Sequence, residues 1–419
     1  MSALILVVFL GAAVLAIPIA HALLIAAMAA VASSDRIPVD LLVQQMVAQV
    51  QSFPLIAIPF FMLTGSLMMG GRLGAALVGV LSTLIGRFHG GPAQVGVLSS
   101  TLFGGVSGSA VADASAIGSL LIPWHKRLGY PAAFSAATLA AAATIDIMIP
   151  PSIPMILFAL TANASIASLF VAGILPGVLM CGGFMFMCWW VGKRRNFPRD
   201  TTPIDWTAFR EHLKYASPAL LLPVLIILFL RFGIATPTEV AVLSTLYAGV
   251  VSAVFYRDLS LRRLNDAVLH AGLATGVVLL VIMASAAIGW LLTFDQMPTG
   301  VANWVTQNVH SDWVVILIMN LLMLFIGMFI DLPAAVLLLT PVFLPLAQSI
   351  GMDPVQLGIM MVVNLAIGLY TPPVGTTLFI TSALAKVKVG QTVRELGPFY
   401  LVAFLVLGLV SYLPASILR

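Results

Sequence analysis

The chain has 419 residues, of which 61% are hydrophobic and only 8% are charged. Because an ordinary soluble domain carries about 25% charged residues, this composition excludes a soluble fold and predicts an all-α, multi-pass protein in a lipid bilayer. The formal net charge of +4 is accounted for by basic loops at one membrane surface, so it requires no nucleic-acid partner.

Apolar runs long enough to cross a bilayer core of about 30 Å follow one another along the chain. The first run is too long for a signal peptide and is predicted to be one retained span. In chain order the runs are Ala3–Val31, Leu55–Met69, Ala132–Ala162, Ser168–Val191, Leu220–Phe232, Val240–Tyr256, Ala274–Thr293 and Pro398–Leu413.

The positions of the basic residues predict the orientation. All of the 19 Lys and Arg residues except Arg36, Arg231 and Arg419 fall on one alternating set of loops, which we call the basic side. By the positive-inside rule this side is cytoplasmic, and the N-terminus is predicted to lie there. The loops Asp295–Asp312 and Ala347–Asp353 contain no Lys or Arg and are predicted to face the opposite side.

Two further apolar segments, Gln94–Pro123 and Trp313–Pro345, each begin and end on one side by the same charge count. Each carries glycine and a carboxylate near its middle, Asp113 in the first and Asp331 in the second. These features predict two re-entrant helical hairpins whose turns lie near the bilayer midplane, where protein or a water-filled cavity must cover the turn.

The chain contains two copies of one unit. Five positions recur 222 residues later: Pro123, Gly129, Pro150, Pro151 and Pro176 match Pro345, Gly351, Pro372, Pro373 and Pro398. Chance would give roughly 0.7 proline coincidences, whereas this offset gives four. The charge count makes the run Leu55–Met69 and its counterpart Val277–Leu291 cross in opposite directions, so the copies are predicted to be inverted repeats.

Each hairpin is followed by a long helix that adjacent prolines interrupt, at Pro150-Pro151 and at Pro372-Pro373. Two prolines remove two backbone donors and unwind the helix. An unwound segment leaves carbonyl oxygens free for a cation, and the following half-helix presents its positive N-terminus to an anion. The pattern therefore predicts coupled transport of a carboxylate with sodium.

Four motifs in this order resemble the large membrane subunit of the tripartite ATP-independent periplasmic (TRAP) transporters, over essentially the whole chain. The motifs are the run Gly108–Gly118 (GSAVADASAIG), Ile149–Ile153 (IPPSI), Gly327–Asp331 (GMFID) and Thr371–Gly375 (TPPVG). The resemblance implies an elevator-type sodium symporter in a bacterial inner membrane. It also implies a small four-helix membrane subunit, here expected as a separate chain, and a soluble periplasmic binding protein that delivers a small organic acid or dicarboxylate.

The resemblance also implies the site residues. Sodium is expected near Asp113, Ser107 and Ser109 in the first copy, and near Asp331 and Thr371 in the second. The full set of candidate sodium- or substrate-binding residues is Ser107, Gly108, Ser109, Asp113, Asp146, Ile149, Pro150, Pro151, Ser152, Asp331, Tyr370, Thr371, Pro372, Pro373, Gly375 and Thr376. No organic cofactor is expected.

Two positions depart from the family pattern. Asp146 stands where the family usually has glycine, and it adds a third intramembrane carboxylate that binds a cation, carries a proton or satisfies freed backbone donors. Phe294 stands where sialic-acid members are expected to carry arginine, which favours another small organic acid. Either hairpin carboxylate could instead cap a half-helix, and the serines and threonines near the breaks could satisfy backbone groups.

The resemblance predicts five segments. Residues 1–93 and 168–272 would hold scaffold helices and arms, 94–167 and 273–395 the two transport-domain repeats, and 396–419 a C-terminal helix. Three other functions stay open: a stand-alone sodium- or proton-coupled carboxylate carrier of the same broad fold, an anion pore, and an intramembrane enzyme. The enzyme is the weakest, because no catalytic pair at helical spacing is visible and the six histidines are scattered near loops.

Overall fold

A computed structural model of the chain describes residues 1–15, 17–34, 37–68, 73–199, 205–309 and 311–413. The basic residues Arg36, Arg72 and Arg419 lie outside these ranges. Within the described residues every regular element is helical. The first ten helices are α1 Ser2–Val14, α2 Ile19–Ala32, α3 Val39–Val50, α4 Ala57–Met68, α5 Leu73–Ile85, α6 Gly91–Ser107, α7 Ala110–Arg127, α8 Ala132–Ala142, α9 Ile153–Ala162 and α10 Ile166–Arg194.

The second half of the chain continues in the same all-helical manner. Its helices are α11 Trp206–Arg231, α12 Pro237–Val250, α13 Leu261–Phe294, α14 Met297–Asn308, α15 Asp312–Gly327, α16 Leu332–Ser349, α17 Pro354–Gly368, α18 Thr376–Ala385, α19 Val389–Glu395 and α20 Gly397–Tyr412. A 3-10 turn, Phe53–Ile56, precedes α4, and another, Ala143–Met148, extends α8. Five of the described helices are long and apolar enough to cross a membrane, or up to eight if each bent helix pair is one span.

The prediction of one span over Ala3–Val31 is wrong. This segment forms two helices, α1 and α2, which pack against each other on either side of a break that precedes Pro18. The proline fixes its own backbone and removes a donor, so the helix ends before it. Continuous hydrophobicity alone could not reveal this break.

The placement of the N-terminus on the side opposite to Asp295 is also wrong. The Met1 ammonium lies 3.4 Å from an Asp295 carboxylate oxygen, and the Ser2 amide donates to the same oxygen at 2.8 Å. Asp295 follows the C-terminal end of α13, whereas Arg263 lies in the first turn of the same helix. Because α1 and α2 form a hairpin, the N-terminus shares a side with the Lys- and Arg-free segment that begins at Asp295.

Helices α4 and α13, which begin the two copies, run antiparallel. The sulfur of Met62 on α4 accepts a bond of 3.6 Å from Thr275 on α13, and further along α4 the Leu67 carbonyl accepts from Arg263 at 2.9 Å. Residues later in α4 therefore contact residues earlier in α13. This antiparallel packing confirms the inverted direction of the two repeats.

Both predicted hairpins are present, as α6–α7 and α15–α16. The turn of the first covers Gly108 and Ser109, and the turn of the second covers residues 328–331. At the base of the first hairpin the His125 ring nitrogen lies 2.8 Å from the Pro92 carbonyl oxygen. The beginning of α6 therefore lies beside the end of α7, which confirms that this hairpin starts and ends on one side.

Both proline pairs interrupt helices as predicted. The pair α8 with its 3-10 extension and α9 bends by 44° across Pro150-Pro151. In the second copy α17 ends at Gly368 and α18 starts at Thr376, with Pro372-Pro373 between them. Both Pro-Pro peptide bonds are cis.

The helices form two groups that also pack against each other, through α5 with α6 and through α13 with α16. The hairpins and broken helices pack on one another and on α10 and α20, whereas α4 packs on α12 and α13, and α5 on α11. The segment predicted as the loop Asp295–Asp312 holds the short helix α14, which packs on α16. The assignment of these groups to a scaffold and a moving domain stays a prediction.

Candidate transport site

The turn of the first hairpin lies in a crowded, buried position. Gly108 has a φ of +61°, and a Cβ built on it would come within 2.7 Å of the Pro151 carbonyl oxygen. On another side the turn meets α4, because a Cβ on Gly65 would lie 3.2 Å from the Ser107 Cα. Only glycine accepts this positive φ and this close approach without strain. The hairpin turn, the first helix break and α4 are therefore in direct contact.

Asp113 and Asp146 are both fully buried beside this turn. Ser107 Oγ donates a hydrogen bond of 2.7 Å to one Asp146 carboxylate oxygen. The other Asp146 oxygen and both Asp113 oxygens accept no hydrogen bond of good geometry, although the Gly108 and Ser109 amides face Asp146 and the Ser100 hydroxyl faces Asp113. Since unpaired buried carboxylates are costly, these oxygens are available ligands for a cation. The structure brings together Ser107, Asp113 and Asp146, as the sequence predicted.

Ser152 has a local structural role at the first break. Its hydroxyl donates to the Ile147 carbonyl oxygen at 2.5 Å and accepts from the Met155 amide as the N-cap of α9. Pro150 and Pro151 are buried around it, and Ile149 is half-buried. Ser109 caps α7 in the same way, because its hydroxyl accepts from the Ala112 amide. Both serines therefore satisfy orphan helix donors.

The second hairpin turn is more open than the first. Asp331 is exposed at the N-cap position of α16, where its carboxylate makes no capping hydrogen bond. Next to the turn, a Cβ on Gly368 would come within 2.4 Å of the Gly327 carbonyl oxygen. The second hairpin therefore touches the end of α17 through two glycines, and the Asp331 carboxylate stays free.

The second break presents an uncapped helix start. Gly375 precedes α18 with no side-chain cap, and the Thr376 hydroxyl is buried without a partner. Thr371 Oγ1 donates to the Ile367 carbonyl at 2.6 Å, and the Tyr370 carbonyl accepts from the Tyr400 hydroxyl at 2.9 Å. The Thr377 amide donates to the Leu369 carbonyl oxygen at 3.0 Å, so what the start of α18 offers an anion is the positive end of a half-helix without a side-chain cap.

Pro372, Pro373 and their neighbours are only partly covered. Pro372 is half-buried and Pro373 is exposed, in contrast to the buried Pro150 and Pro151. The two breaks are nevertheless linked, because the Thr377 hydroxyl on α18 donates to the Ala140 carbonyl on α8 at 3.1 Å. The candidate residues of the two copies thus belong to one packed body.

Residues 6–416 match the protein family described as "Tripartite ATP-independent periplasmic transporter, DctM component". The chain belongs to this family. It is therefore a TRAP large permease subunit, a multi-pass membrane transporter component and not an enzyme.

Individual relatives and a solved structure agree with this assignment. The permease is 54% identical over 415 residues to the uncharacterized protein y4mL of Sinorhizobium fredii, covering 99% of each chain. It is 36% identical to the 2,3-diketo-L-gulonate TRAP transporter large permease protein YiaN of Escherichia coli, covering 98% of this chain and 96% of the relative. The Alcanivorax borkumensis YdaH transporter shares the fold, with a TM-score of 0.64, 15% identity and coverage of 87% and 86%.

The permease has a cavity at each end of α13. One, of about 490 Å³, is lined by Ser107 and Ser109 of the first hairpin turn and by Arg263 and His270 of α13. The other, of about 360 Å³, is lined by the C-terminal half of α13, by α3 and by α16. The two lining stretches of α13 are centred roughly 28 Å apart at 1.5 Å per residue. Space is therefore present on both sides of the body formed by the two hairpins and the two broken helices.

Several polar residues of the packed hairpins and of their surroundings were not among the candidates predicted from the sequence. Asn364 donates to the Asn320 side chain at 2.8 Å, and Asn320 donates to the Ser411 hydroxyl at 3.0 Å. Arg263 and His270, which line the larger of these two cavities, were not candidates either. Asparagine within an apolar span is itself a signal of a buried polar network, because lipid offers it no partner. Among the described residues there is no cluster of three or more His, Cys, Asp or Glu side chains that could hold a metal ion.

Proposed function

We propose that this permease drives sodium-coupled uptake of a small organic acid through the two hairpin-and-break units. The observation that carries the proposal is the set of buried carboxylate oxygens without partners at Asp113 and Asp146, in a body built from inverted repeats. Buried intramembrane carboxylates are expensive, and their usual role is to bind an ion or a proton.

Sodium would bind at both units. In the first, Asp113 supplies carboxylate oxygens, with the Ser107 and Ser109 hydroxyls close to the turn. In the second, Asp331 supplies a free carboxylate, and the Thr371 hydroxyl keeps a lone pair because it only donates to Ile367. Oxygen donors of these kinds suit a hard monovalent cation, and an unwound helix provides additional carbonyl oxygens.

The substrate carboxylate would bind at the start of α18. This half-helix has no side-chain cap, and the Thr376 hydroxyl is free to donate. The start of α9 is less suitable, since Ser152 already caps it. Positive helix ends attract anions, so the second break is the favoured anion site.

Transport would follow an elevator movement, in which the hairpins and broken helices slide along α4, α11 and α13. The cavity between the first hairpin turn and Arg263 would connect the first unit to the basic side. If the basic side is cytoplasmic, this cavity would open inward. The N-terminus would then lie on the periplasmic side of a bacterial inner membrane.

Two partners complete the proposed system: a small four-helix membrane subunit and a soluble periplasmic binding protein that delivers the acid. The YiaN relative is named for 2,3-diketo-L-gulonate, an organic acid, which supports this class of substrate. Uptake into vesicles with and without the binding protein separates this system from a stand-alone carrier, because only the tripartite system requires it.

The first test needs no substrate. The thermal unfolding midpoint of the purified chain is measured in sodium and in potassium at equal ionic strength, for the wild type, Asp113→Ala and Asp331→Ala. A sodium-specific rise that both substitutions reduce supports the two ion sites, because a ligand that binds only the folded state stabilises it. An equal midpoint in the two cations would count against sodium coupling.

A further inference from the structure

Asp146 occupies the position that glycine holds in the second copy. At the 222-residue offset its counterpart is Gly368. Gly368 lies against Gly327 of the second hairpin, and in the same way Asp146 lies against Gly104 of the first, since a Cβ on Gly104 would come within 2.5 Å of the Asp146 Cα. Each copy thus brings a glycine of its hairpin against this position, Gly104 in the first and Gly327 in the second, and only the first places a carboxylate there.

The carboxylate of Asp146 adds to a charge that is already buried. Asp113 and Asp146 are close enough to repel each other, and each is 0% exposed. Ser100, which faces Asp113, is also buried, and its hydroxyl has no partner in good hydrogen-bond geometry. Within the described part of the chain, no Lys, Arg or His forms an ion pair with either carboxylate. The pocket therefore brings two buried carboxyl groups together, with the Ser107 hydroxyl and the hairpin-turn amides of Gly108 and Ser109 facing Asp146.

We propose that the Asp113–Asp146 pocket binds one sodium ion more than it would with glycine at position 146. One sodium ion balances only one of the two carboxylates, and an uncompensated charge in the membrane interior is costly. The free oxygen of Asp146, together with Asp113 and the Ser100 hydroxyl, supplies ligands for the additional ion. This inference rests on the sodium coupling proposed above and makes the first copy the more highly charged of the two.

Sodium itself is the probe. The free energy of unfolding of the full chain is measured over a range of sodium concentrations, with potassium keeping the ionic strength constant. Once the sites are filled, the slope of that free energy against the logarithm of sodium concentration counts the bound ions. We expect the slope of Asp146→Gly, which copies Gly368, to be smaller than that of the wild type by one ion.

Two more variants make the result decisive. Asp146→Asn keeps an acceptor for Ser107 but loses the charge, so it is expected to show the same loss of one ion even if the glycine variant folds poorly. Asp353→Asn is the matched control, because Asp353 caps α17 through the Val355 amide at 2.7 Å and its removal should leave the ion count unchanged. Equal slopes for the wild type and Asp146→Asn would overturn the inference while leaving sodium coupling intact. A wild type without a sodium-specific slope would overturn sodium coupling itself.

Discussion

The two hairpin-and-break units share a sequence pattern but differ in how they are covered. In the first, Ser107, Gly108 and the proline pair are buried, and α4 lies directly on the turn. In the second, Asp331 and Pro373 are exposed. The burial of each unit therefore depends on the helices that pack over it and not on the sequence pattern that the two units share.

The units also differ in the chemistry of their helix starts. Ser152 caps α9 in the first, whereas α18 in the second starts at Gly375 without a side-chain cap. Two buried carboxyl groups, Asp113 and Asp146, lie at the first break, and a half-helix without a side-chain cap starts after the second. If the proposed function holds, cations bind chiefly at the covered unit and the substrate anion at the open one.

The largest effect is expected from Asp113→Asn. It removes a charged ligand from the covered unit, so the apparent sodium affinity should fall by at least about tenfold. In potassium the unfolding midpoint should not fall, because the substitution also removes a buried charge without a partner. Sodium titration of thermal unfolding measures both. A lower midpoint in potassium with an unchanged sodium response would show that Asp113 is structural.

A larger side chain at the contact between the first hairpin and the first break should lower the stability of the chain. Gly104→Ala is expected to destabilise the chain by about 1–3 kcal/mol, because the new methyl would overlap Asp146. Gly182→Ala is the control, since nothing lies within 4 Å of a Cβ there. Unfolding of both variants in detergent gives the comparison. Equal stabilities would show that the first hairpin can move away from the break at little cost.

Substitutions at the two helix starts should affect different properties, namely folding stability at α9 and substrate binding at α18. Ser152→Ala loses the α9 cap and should cost about 1 kcal/mol in unfolding free energy. Thr376→Val should leave stability nearly unchanged, because the Thr376 hydroxyl has no partner to lose, and should weaken substrate binding. Transport with the cognate acid and thermal unfolding are compared for both. The assignment of the anion to α18 fails if Thr376→Val transports with wild-type affinity.

The smallest effect concerns the N-terminal hairpin. Hydrogen bonds from the Ser2 side chain and amide, together with the N-terminal ammonium, lower the pKa of Asp295 below its usual value of 3.8. A lowered folded-state pKa stabilises the folded chain above pH 3.8, and this contribution disappears as the pH falls through the folded-state value. The protection of the α1 amides against hydrogen exchange, measured relative to their intrinsic exchange rates, should therefore fall at low pH, and in Asp295→Asn at neutral pH. Unchanged exchange in that variant would contradict the anchoring role.

The sequence by itself determined the local architecture of this permease. Glycine-rich turns, paired prolines and their recurrence at a fixed offset specify the hairpins and the breaks, because these residues act on the backbone of their own segment. The carboxylates Asp113, Asp146 and Asp331 were identifiable as candidates because a charge inside an apolar span has a high cost wherever it packs.

Tertiary structure alone decided the rest. Pro18 marks the break in Ala3–Val31 locally, but the packing of α1 against α2 and the side of the N-terminus depended on tertiary contacts, the latter on the pairing with Asp295. Nor could the sequence separate the capping role of Ser152 from the free hydroxyl of Thr376, since both follow a proline pair. Which polar atom has a partner depends on the distance between segments far apart in the chain, and only the packed molecule sets that distance.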